Sequence, residues 1–358
     1  MKKLSPQYKQ RLLYASVREL DKRHRLNKNS VARKQKIIVL PEKLSLHDRP
    51  SHKALCLAIQ DIKRWVKSPD ITHVVLDFSH VRIIWPEGML LLFAEMDIIN
   101  RLRGKTSFKI KPPVSSRCMQ VLVKIGFYEI LGKAAPAKKL TDETVVHWQV
   151  MTDTNVNAEK LKKIHKDKEK VKELYVPITE AMDNCIYHGY LDEGKGKKDR
   201  CDYFTCQKAI PEKQKWWLFS QIKDNELYVA LADLGIGFPR SLRESNAAKT
   251  KGLWAYITNK LQREEGRLPD HKILREVVEA EQNITSTEQA NRGKGIAQIT
   301  QLAREDEHSG LAIWSYKGGY IMKKEKSSAT RRGSAIKYSE SIQGTIIYWS
   351  IPIAGGEL

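Results

Sequence analysis

Strand-like and helix-like segments alternate through the first third of this chain, and that alternation restricts its fold more than any other feature. Apolar runs at residues 72–81 (THVVLDFSHV) and 107–113 (SFKIKPP) predict strands. Helical patterns separate them at residues 52–68 (HKALCLAIQDIKRWVKS) and 89–104 (MLLLFAEMDIINRLRG). A further helix followed by a short extended piece is predicted over residues 115–132. Such alternation is typical of a small α/β domain.

Length and composition restrict the class of protein. A chain of 358 residues suggests two domains, each able to bury a core. No apolar run approaches the roughly 18–20 residues that a membrane span needs, so no membrane association is expected. The basic N-terminus is not followed by a continuous apolar region, which argues against a signal peptide. An odd number of cysteines, five, favours a reducing cytoplasmic location.

The net charge of +21 implies attraction to polyanions, which could be nucleic acid, an anionic surface or an acidic protein. Residues 1–35 are especially basic and predict a helical arm that contacts phosphates or a partner. A loosely docked tail and a lysine-rich solvated surface would give the same composition. We find no zinc-finger spacing and no aromatic RNA-binding signature.

Residues 36–132 resemble a STAS domain, the fold of anti-anti-sigma factors. The resemblance rests on the segment VVLDFSHVRIIWPEGMLLL, which keeps Asp77, Ser79 and Gly88. In that family a serine at the turn is phosphorylated, and Glu87 occupies the matching position here. Glutamate cannot be phosphorylated and supplies one permanent negative charge. The resemblance therefore implies a fixed docking or scaffold module rather than a phosphorylation switch.

Residues 178–190 (ITEAMDNCIYHGY) carry two stripes when read at the helical angle of about 100° per residue. Glu180, Asn184 and His188 recur at every fourth position and form the polar stripe. A carboxamide oxygen such as that of Asn184 is a ligand that Mg²⁺ accepts, and Glu180 could orient or deprotonate a nucleophile. An ordinary amphipathic helix would show the same pattern. The other stripe would pack into a core and consists of Ile178, Ala181, Met182, Cys185 and Ile186.

A glycine motif follows two strands that are predicted within residues 216–239 and joined at residues 224–225. The carboxylate of Asp233 leaves the sheet just before Gly235 and Gly237. It could accept a hydrogen bond from an exocyclic amine such as that of adenine. The glycines would let the backbone approach a flat ring or phosphates closely. A turn that merely ends the strand would use the same residue types.

A second glycine motif follows a long polar, helical stretch that would suit a mobile lid over a ligand. Residues 291–297 (NRGKGIA) open a predicted helix, and exposed N–H groups at a helix N-terminus form an anion site. A flexible basic loop before a helix is the alternative. Two cations and two glycines make up the motif: Arg292, Gly293, Lys294 and Gly295.

The three motifs occur in the order of the three sequence boxes of the GHKL ATP-binding fold, and Gly344-Thr345 follows on a last predicted strand. Residues 140–354 therefore resemble that family. The helix Glu-x-x-x-Asn-x-x-x-His-Gly-Tyr is closest to the anti-sigma factor serine kinases. The resemblance implies ATP and Mg²⁺ as cofactors.

The resemblance also implies a role for each matching residue. Asn184 would ligate Mg²⁺, Asp233 would bind the adenine amine, and Thr345 would support that contact through water. Glu180 matches the general base of members that hydrolyse ATP or phosphorylate serine. Gly235 and Gly237 would frame the base pocket. The remaining cofactor-binding positions are His188 on the helix and, at the phosphates, Arg292, Gly293, Lys294 and Gly295.

The sequence thus predicts an α/β (α+β) fold in three parts. These are a basic arm over residues 1–35, a STAS-like domain over 36–133, and a GHKL domain over 134–358 with a lid at about 240–291. The lid is longer than in the small serine kinases. His165 lies between lysines without an acidic neighbour, so autophosphorylation on histidine is not expected.

The resemblances imply a Mg·ATP-binding regulator, either a serine/threonine kinase or a partner-switching protein, that acts on a regulatory protein partner. The alternative is an ATPase clamp on nucleic acid or protein, which the charge, the arm and the lid favour. A third reading is an ATP sensor without turnover. The sequence leaves the oligomeric state open, including a homodimer.

Overall fold

The structure is a computed structural model, and it describes most residues of the two predicted domains. The arm predicted over residues 1–35 lies outside the described residues except for residue 35, and so does much of the predicted lid. The described residues are 35–102, 106–137, 140–153, 155, 172–189, 215–245, 257, 261, 268–284, 294–306, 308–322 and 333–353.

The first part of the chain forms a parallel sheet with helices, as its alternating pattern predicts. Strands β1 (Gln35–Val39), β3 (His73–Asp77) and β5 (Ser107–Lys111) pair in the order β1-β3-β5, and both pairings are parallel. Two short strands also pair in parallel, β2 (Lys43–Leu44) and β4 (Ile83–Ile84). The helices are α1 (Arg49–Lys67), α2 (Pro86–Leu102), α3 (Ser116–Lys124) and α4 (Phe127–Ile130).

The second part is built on a sheet of antiparallel neighbours in the order β11-β10-β9-β12-β8-β7-β6. Its strands are β6 (Gln149–Asp153), β7 (Trp216–Lys223), β8 (Glu226–Asp233), β9 (Gly310–Ser315), β10 (Gly318–Met322), β11 (Ser334–Lys337) and β12 (Thr345–Pro352). Its helices are α5 (Glu143–Val146), α6 (Tyr175–His188), α7 (Phe238–Ser245), α8 (Asp270–Ile284) and α9 (Lys294–Glu305). The predicted mixed α/β (α+β) fold class is confirmed.

The sequence predicted the turn between β7 and β8 correctly and two short segments wrongly. The hairpin predicted between β7 and β8 is confirmed, with Asp224 and Asn225 at φ of 53° and 58°. The prediction of an extended piece after α3 is wrong, because the helix α4 forms there. This helix buries the adjacent Phe127 and Tyr128, whereas a strand would point two adjacent side chains to opposite faces. The apolar run of residues 143–151 (ETVVHWQVM) predicts a strand, but the strand starts only at Gln149. Residues 143–146 form the short helix α5 instead, which Asp142 caps by accepting from the Thr144 amide.

The seven-stranded sheet is the middle layer, because apolar side chains cover both of its faces. Along β7, Trp216 and Leu218 belong to a core shared with α6, α8 and α9. The alternate residues Trp217 and Phe219 belong to a second core, which they share with α2 and the rest of the first part. A strand buried on both faces reads as a continuous apolar run, as β7 does. None of the helices within the described ranges is long and apolar enough to cross a membrane.

A buried ionic cluster lies where α2 meets β7. The carboxylate of Asp97 accepts a hydrogen bond from Trp217 Nε1 at 2.9 Å and pairs with Lys215 Nζ at 2.7 Å. Arg101, one turn later on α2, lies 3.1 Å from the other carboxylate oxygen. The side chains of Asp97 and Lys215 are 9% and 8% exposed, so the pair is held in the interior of the seam between the two parts.

Candidate functional site

Three polar residues lie side by side at the same end of the three central strands of the large sheet. Thr345 begins β12 and is the register partner of Asp233 at the end of β8 and of Ser315 at the end of β9. Their exposed fractions are only 6%, 5% and 0%. Because buried polar groups destabilise a fold unless they find partners, their presence together marks this end of the central strands as a candidate site.

The Asp233 carboxylate is buried with few strong partners. Oδ1 accepts from the Gly235 amide at 2.8 Å, and Oδ2 faces the thiol of Cys185 on α6 at 3.8 Å. Burial raises the pKa of Asp233 to about 6, although the Gly235 amide, the Cys185 thiol and the Thr345 amide favour its ionised form. A thiol is a weak donor, so this carboxylate oxygen retains the capacity to accept a stronger hydrogen bond.

The glycine loop after β8 touches the end of α6 through backbone atoms. The Ile236 amide donates to the Gly189 carbonyl at 2.6 Å. A Cβ at Gly235 would lie 1.7 Å from that carbonyl oxygen, so only glycine fits there. On the other side, Gly344 has φ of 72°, and its added Cβ would lie 2.0 Å from the Asp233 carbonyl oxygen. The end of α6, the glycine loop after β8 and the start of β12 therefore meet at one place.

Side chains that the sequence did not single out hold the loop in position. Gln343 Nε2 donates to the Gly235 carbonyl at 2.8 Å and to the Leu234 carbonyl at 3.3 Å. After Gly237, the amide of Phe238 donates to Ser315 Oγ at 3.0 Å and to Thr345 Oγ1 at 3.2 Å. Neither Gln343 nor Ser315 belongs to a motif. The role of Ser315 depends on the register of β9 with β12, and that of Gln343 on the turn just before β12, and the sequence reveals neither.

Helix α6 has the two stripes that its sequence predicts. The residues Ile178, Ala181, Met182 and Cys185 are at most 3% exposed, and Ile186 packs against the same core. On the polar stripe, the side chains of Glu180 and Asn184 are partly buried, and the side chain of His188 lies outside what the structure describes. An ordinary amphipathic helix therefore stays an alternative interpretation of this stripe.

Asn184 shows the clearest sign of a missing partner on that stripe. Its Nδ2 atom is buried and has no hydrogen-bond partner among the described residues. The two ends of a carboxamide can exchange by a flip, so the unpartnered end can present either a donor or the oxygen that Mg²⁺ accepts. Its sequence neighbour Cys185 contacts Asp233, so the turn of α6 that carries Asn184 lies beside the end of β8.

The remaining predicted site residues are only partly described. Glu180 is half-buried on α6, four residues before Asn184, and His188 lies in the last turn of that helix. Lys294 and Gly295 open α9, so the helix predicted after the second glycine motif is confirmed. Arg292 and Gly293 lie outside the described residues, and the phosphate-binding role of this motif stays a prediction.

Glu87, at the position matched to the phosphorylated serine of STAS domains, is fully buried. Its Oε1 accepts from Ser45 Oγ at 3.0 Å and from the Leu46 amide at 3.2 Å, and it lies 3.7 Å from His47 Nε2. The carboxylate thus ties the N-terminus of α2 to the segment after β2. Glu87 is therefore a buried carboxylate that joins two segments of the first part of the chain.

The described residues contain no cluster of three or more His, Cys, Asp or Glu side chains that could hold a metal ion. Comparisons of the chain with protein-family models, with curated proteins and with solved structures find no match. The resemblances to STAS and GHKL domains therefore stay predictions.

The raised pKa of Asp233 predicts a pH dependence of stability. Its value rises from 3.8 to about 6 on folding, so the folded protein favours the protonated form. The corresponding stability is fully present below about pH 4 and is lost as the pH rises through about 6. We expect the free energy of unfolding of the natural chain, relative to Asp233→Asn, to fall over this range. Urea unfolding of both proteins at stepped pH measures it, and a flat or rising difference would contradict the assignment.

Proposed function

We propose that this chain is a Mg·ATP-binding regulatory protein that transfers the γ-phosphoryl group to a hydroxyl of a protein partner. The observation that carries the proposal is the buried carboxylate of Asp233. It lies at the end of the central strand β8, beside Thr345 and next to a glycine loop that α6 touches through backbone atoms. The proposal stands on this geometry together with the order of the sequence motifs.

The adenine end of the site follows from the chemistry of Asp233. An exocyclic amine donates hydrogen bonds, and an ionised carboxylate in a buried place is its natural acceptor. Since Cys185 is only a weak donor to that carboxylate, an amine would bind without displacing a strong bond. The Thr345 hydroxyl, which accepts from the Phe238 amide, lies on the register partner of Asp233 and can take part through a bridging water.

The phosphate end follows from α6 and α9. The carboxamide of Asn184 has a polar end without a hydrogen-bond partner in the described part of the chain, and it would hold Mg²⁺, which neutralises charge on the phosphates. Lys294 and Gly295 open α9, whose N-terminal N–H groups favour anions. Glu180, one turn before Asn184, would accept the proton of the attacking hydroxyl.

The proposed chemistry predicts that Glu180→Gln separates binding from turnover. Removing a general base lowers turnover by about 10²–10⁴-fold, whereas ATP affinity should stay within about threefold. Glu173→Gln is a matched control, because Glu173 is exposed and precedes the same helix. Release of phosphate from ATP, with mass measurement of the full chain and of co-purifying proteins, provides the readout.

Three outcomes of that assay separate the candidate functions. Phosphate on a protein, lost in Glu180→Gln, supports the kinase. Phosphate release that DNA or RNA stimulates, with no labelled protein, would instead establish the clamp, which the net charge of +21 favours. ATP binding without turnover in the natural chain would leave an ATP sensor and contradict the catalytic role of Glu180.

A further inference from the structure

A cavity of about 700 Å³ lies between the two parts of the chain, lined by α1 and α2 from the first part and residues 341–343 from the second. It is separate from the Asp233 carboxylate, which does not line it. Its volume lies within the range of about 300–1,000 Å³ that is typical of sites for small molecules. The residues that line it are Cys56, Ile59, Gln60, Lys63, Arg64, Lys67, Ser68, Leu91, Glu95, Ser341, Ile342 and Gln343.

The walls of this cavity differ in chemistry. Its base is apolar and formed by the buried side chains of Ile59, Leu91 and Ile342, which are at most 5% exposed. One wall is basic, because residues at helical spacing near the C-terminal end of α1 share a face. These residues are Gln60, Lys63, Arg64 and Lys67.

The charge on the lining favours an anion. Three cations line the cavity, and Glu95 is the one acidic residue among its lining residues. Glu95 pairs with Lys63 at 2.7 Å, so these two charges offset each other. The rest of the positive charge comes from Lys67 and from Arg64, which also pairs with Asp61 outside the lining. An apolar base below a cationic wall suits a small organic anion whose body is hydrocarbon and whose head is a carboxylate, phosphate or sulfonate.

The cavity is connected directly to the glycine loop. Gln343 lines the cavity, and its Nε2 atom donates to the carbonyls of Leu234 and Gly235. Along the chain, Gln343 is followed by Gly344 and Thr345, which sit against Asp233. A molecule that contacts the Gln343 side chain can therefore shift or stiffen the loop beside the Asp233 carboxylate.

We propose that this cavity is an effector site for a small organic anion with an apolar body, and that occupancy acts on the Asp233 loop through Gln343. Binding in the cavity does not depend on the proposed nucleotide function. The regulatory meaning of the effect on the loop does rest on that function. The two parts are therefore tested by separate measurements, neither of which uses ATP.

The first measurement is calorimetric titration of the full chain with decanoate, compared with decanol. Decanoate should bind at one site, and decanol at least tenfold more weakly. Arg64→Gln/Lys67→Gln should weaken decanoate binding at least tenfold, and Ser341→Trp should abolish it by filling the cavity. The matched control Lys53→Gln/Lys109→Gln removes two exposed lysines outside the cavity and should change the affinity less than twofold.

Two results would overturn the site. One is decanoate binding that Arg64→Gln/Lys67→Gln and Ser341→Trp leave unchanged, and the other is equal affinity for decanol. Failure of ATP to bind would contradict the proposed function but would not affect the test of decanoate binding in the cavity.

The second measurement is amide hydrogen exchange over residues 234–238, with and without saturating decanoate. Exchange there should slow at least threefold in the natural chain. In Gln343→Leu, decanoate should still bind, but the change in exchange should disappear. Unchanged exchange in the natural chain, with decanoate bound, would overturn the connection through Gln343.

Discussion

Replacing Asp233 with asparagine is expected to weaken ATP binding by about 100-fold or more while leaving the fold at least as stable at pH 7. The binding loss follows because an amide NH₂ would meet the adenine amine where a charged acceptor stood. The stability follows because the folded protein holds Asp233 with a pKa of about 6, so ionisation opposes folding at neutral pH.

Calorimetric titration with Mg·ATP and urea unfolding, on the same preparations, check both halves of this expectation. Asp224→Asn is the matched control, since that carboxylate lies on the β7–β8 turn with its side chain 74% exposed. The control should bind like the natural chain. An Asp233→Asn protein that binds ATP normally would show that the carboxylate does not contact the base. One that is destabilised by several kcal/mol would show that the carboxylate holds the fold instead.

Replacing Asp97 with alanine is expected to lower the free energy of unfolding by about 3–5 kcal/mol. The substitution leaves the buried Lys215 ammonium without the carboxylate 2.7 Å away and removes the acceptor of Trp217 Nε1. Lys215→Met in the Asp97→Ala background should restore part of that loss, because it removes the uncompensated charge.

Urea unfolding followed by tryptophan fluorescence measures this effect. The control is Asp61→Ala, whose carboxylate pairs with Arg64 on the surface of α1 with its side chain 46% exposed, and it should change stability by less than about 1 kcal/mol. Because the Asp97 cluster joins α2 to β7, we also expect one unfolding transition for both parts of the chain. A mild effect equal to that of the control would mean that the pair is not buried in solution.

Local patterns predicted a large part of the fold. Periodicity placed α1 and the apolar stripe of α6 correctly, because each buries one face against a core. The apolar run of residues 89–104 placed α2, which is buried on nearly all sides. The β7–β8 turn was predictable because Asp and Asn tolerate positive φ at residues 224–225. The predictions failed where a short apolar segment could form either element, as at α4 and at α5.

The candidate site was predictable in its motif residues but not in its assembly. Asp233 and Thr345 are 112 positions apart, and only the pairing of β8 with β12 brings them opposite each other. Ser315 joins the site through the pairing of β9 with β12, and Gln343 joins it from the turn before β12. Nothing in the sequence around either residue signals this. The covering of the sheet by α2 depends on packing between distant segments, which no local pattern encodes.

Calorimetric titration of the full chain with Mg·ATP, beside a titration with Mg·GTP, tests the central claim most directly. Adenine offers an amine to the Asp233 carboxylate, whereas guanine presents a carbonyl oxygen at the corresponding position, which the carboxylate repels. We expect one ATP site that needs Mg²⁺ and is lost in Asn184→Ala, with GTP bound at least about 30-fold more weakly. No binding at millimolar ATP, or equal affinity for the two nucleotides, would contradict it.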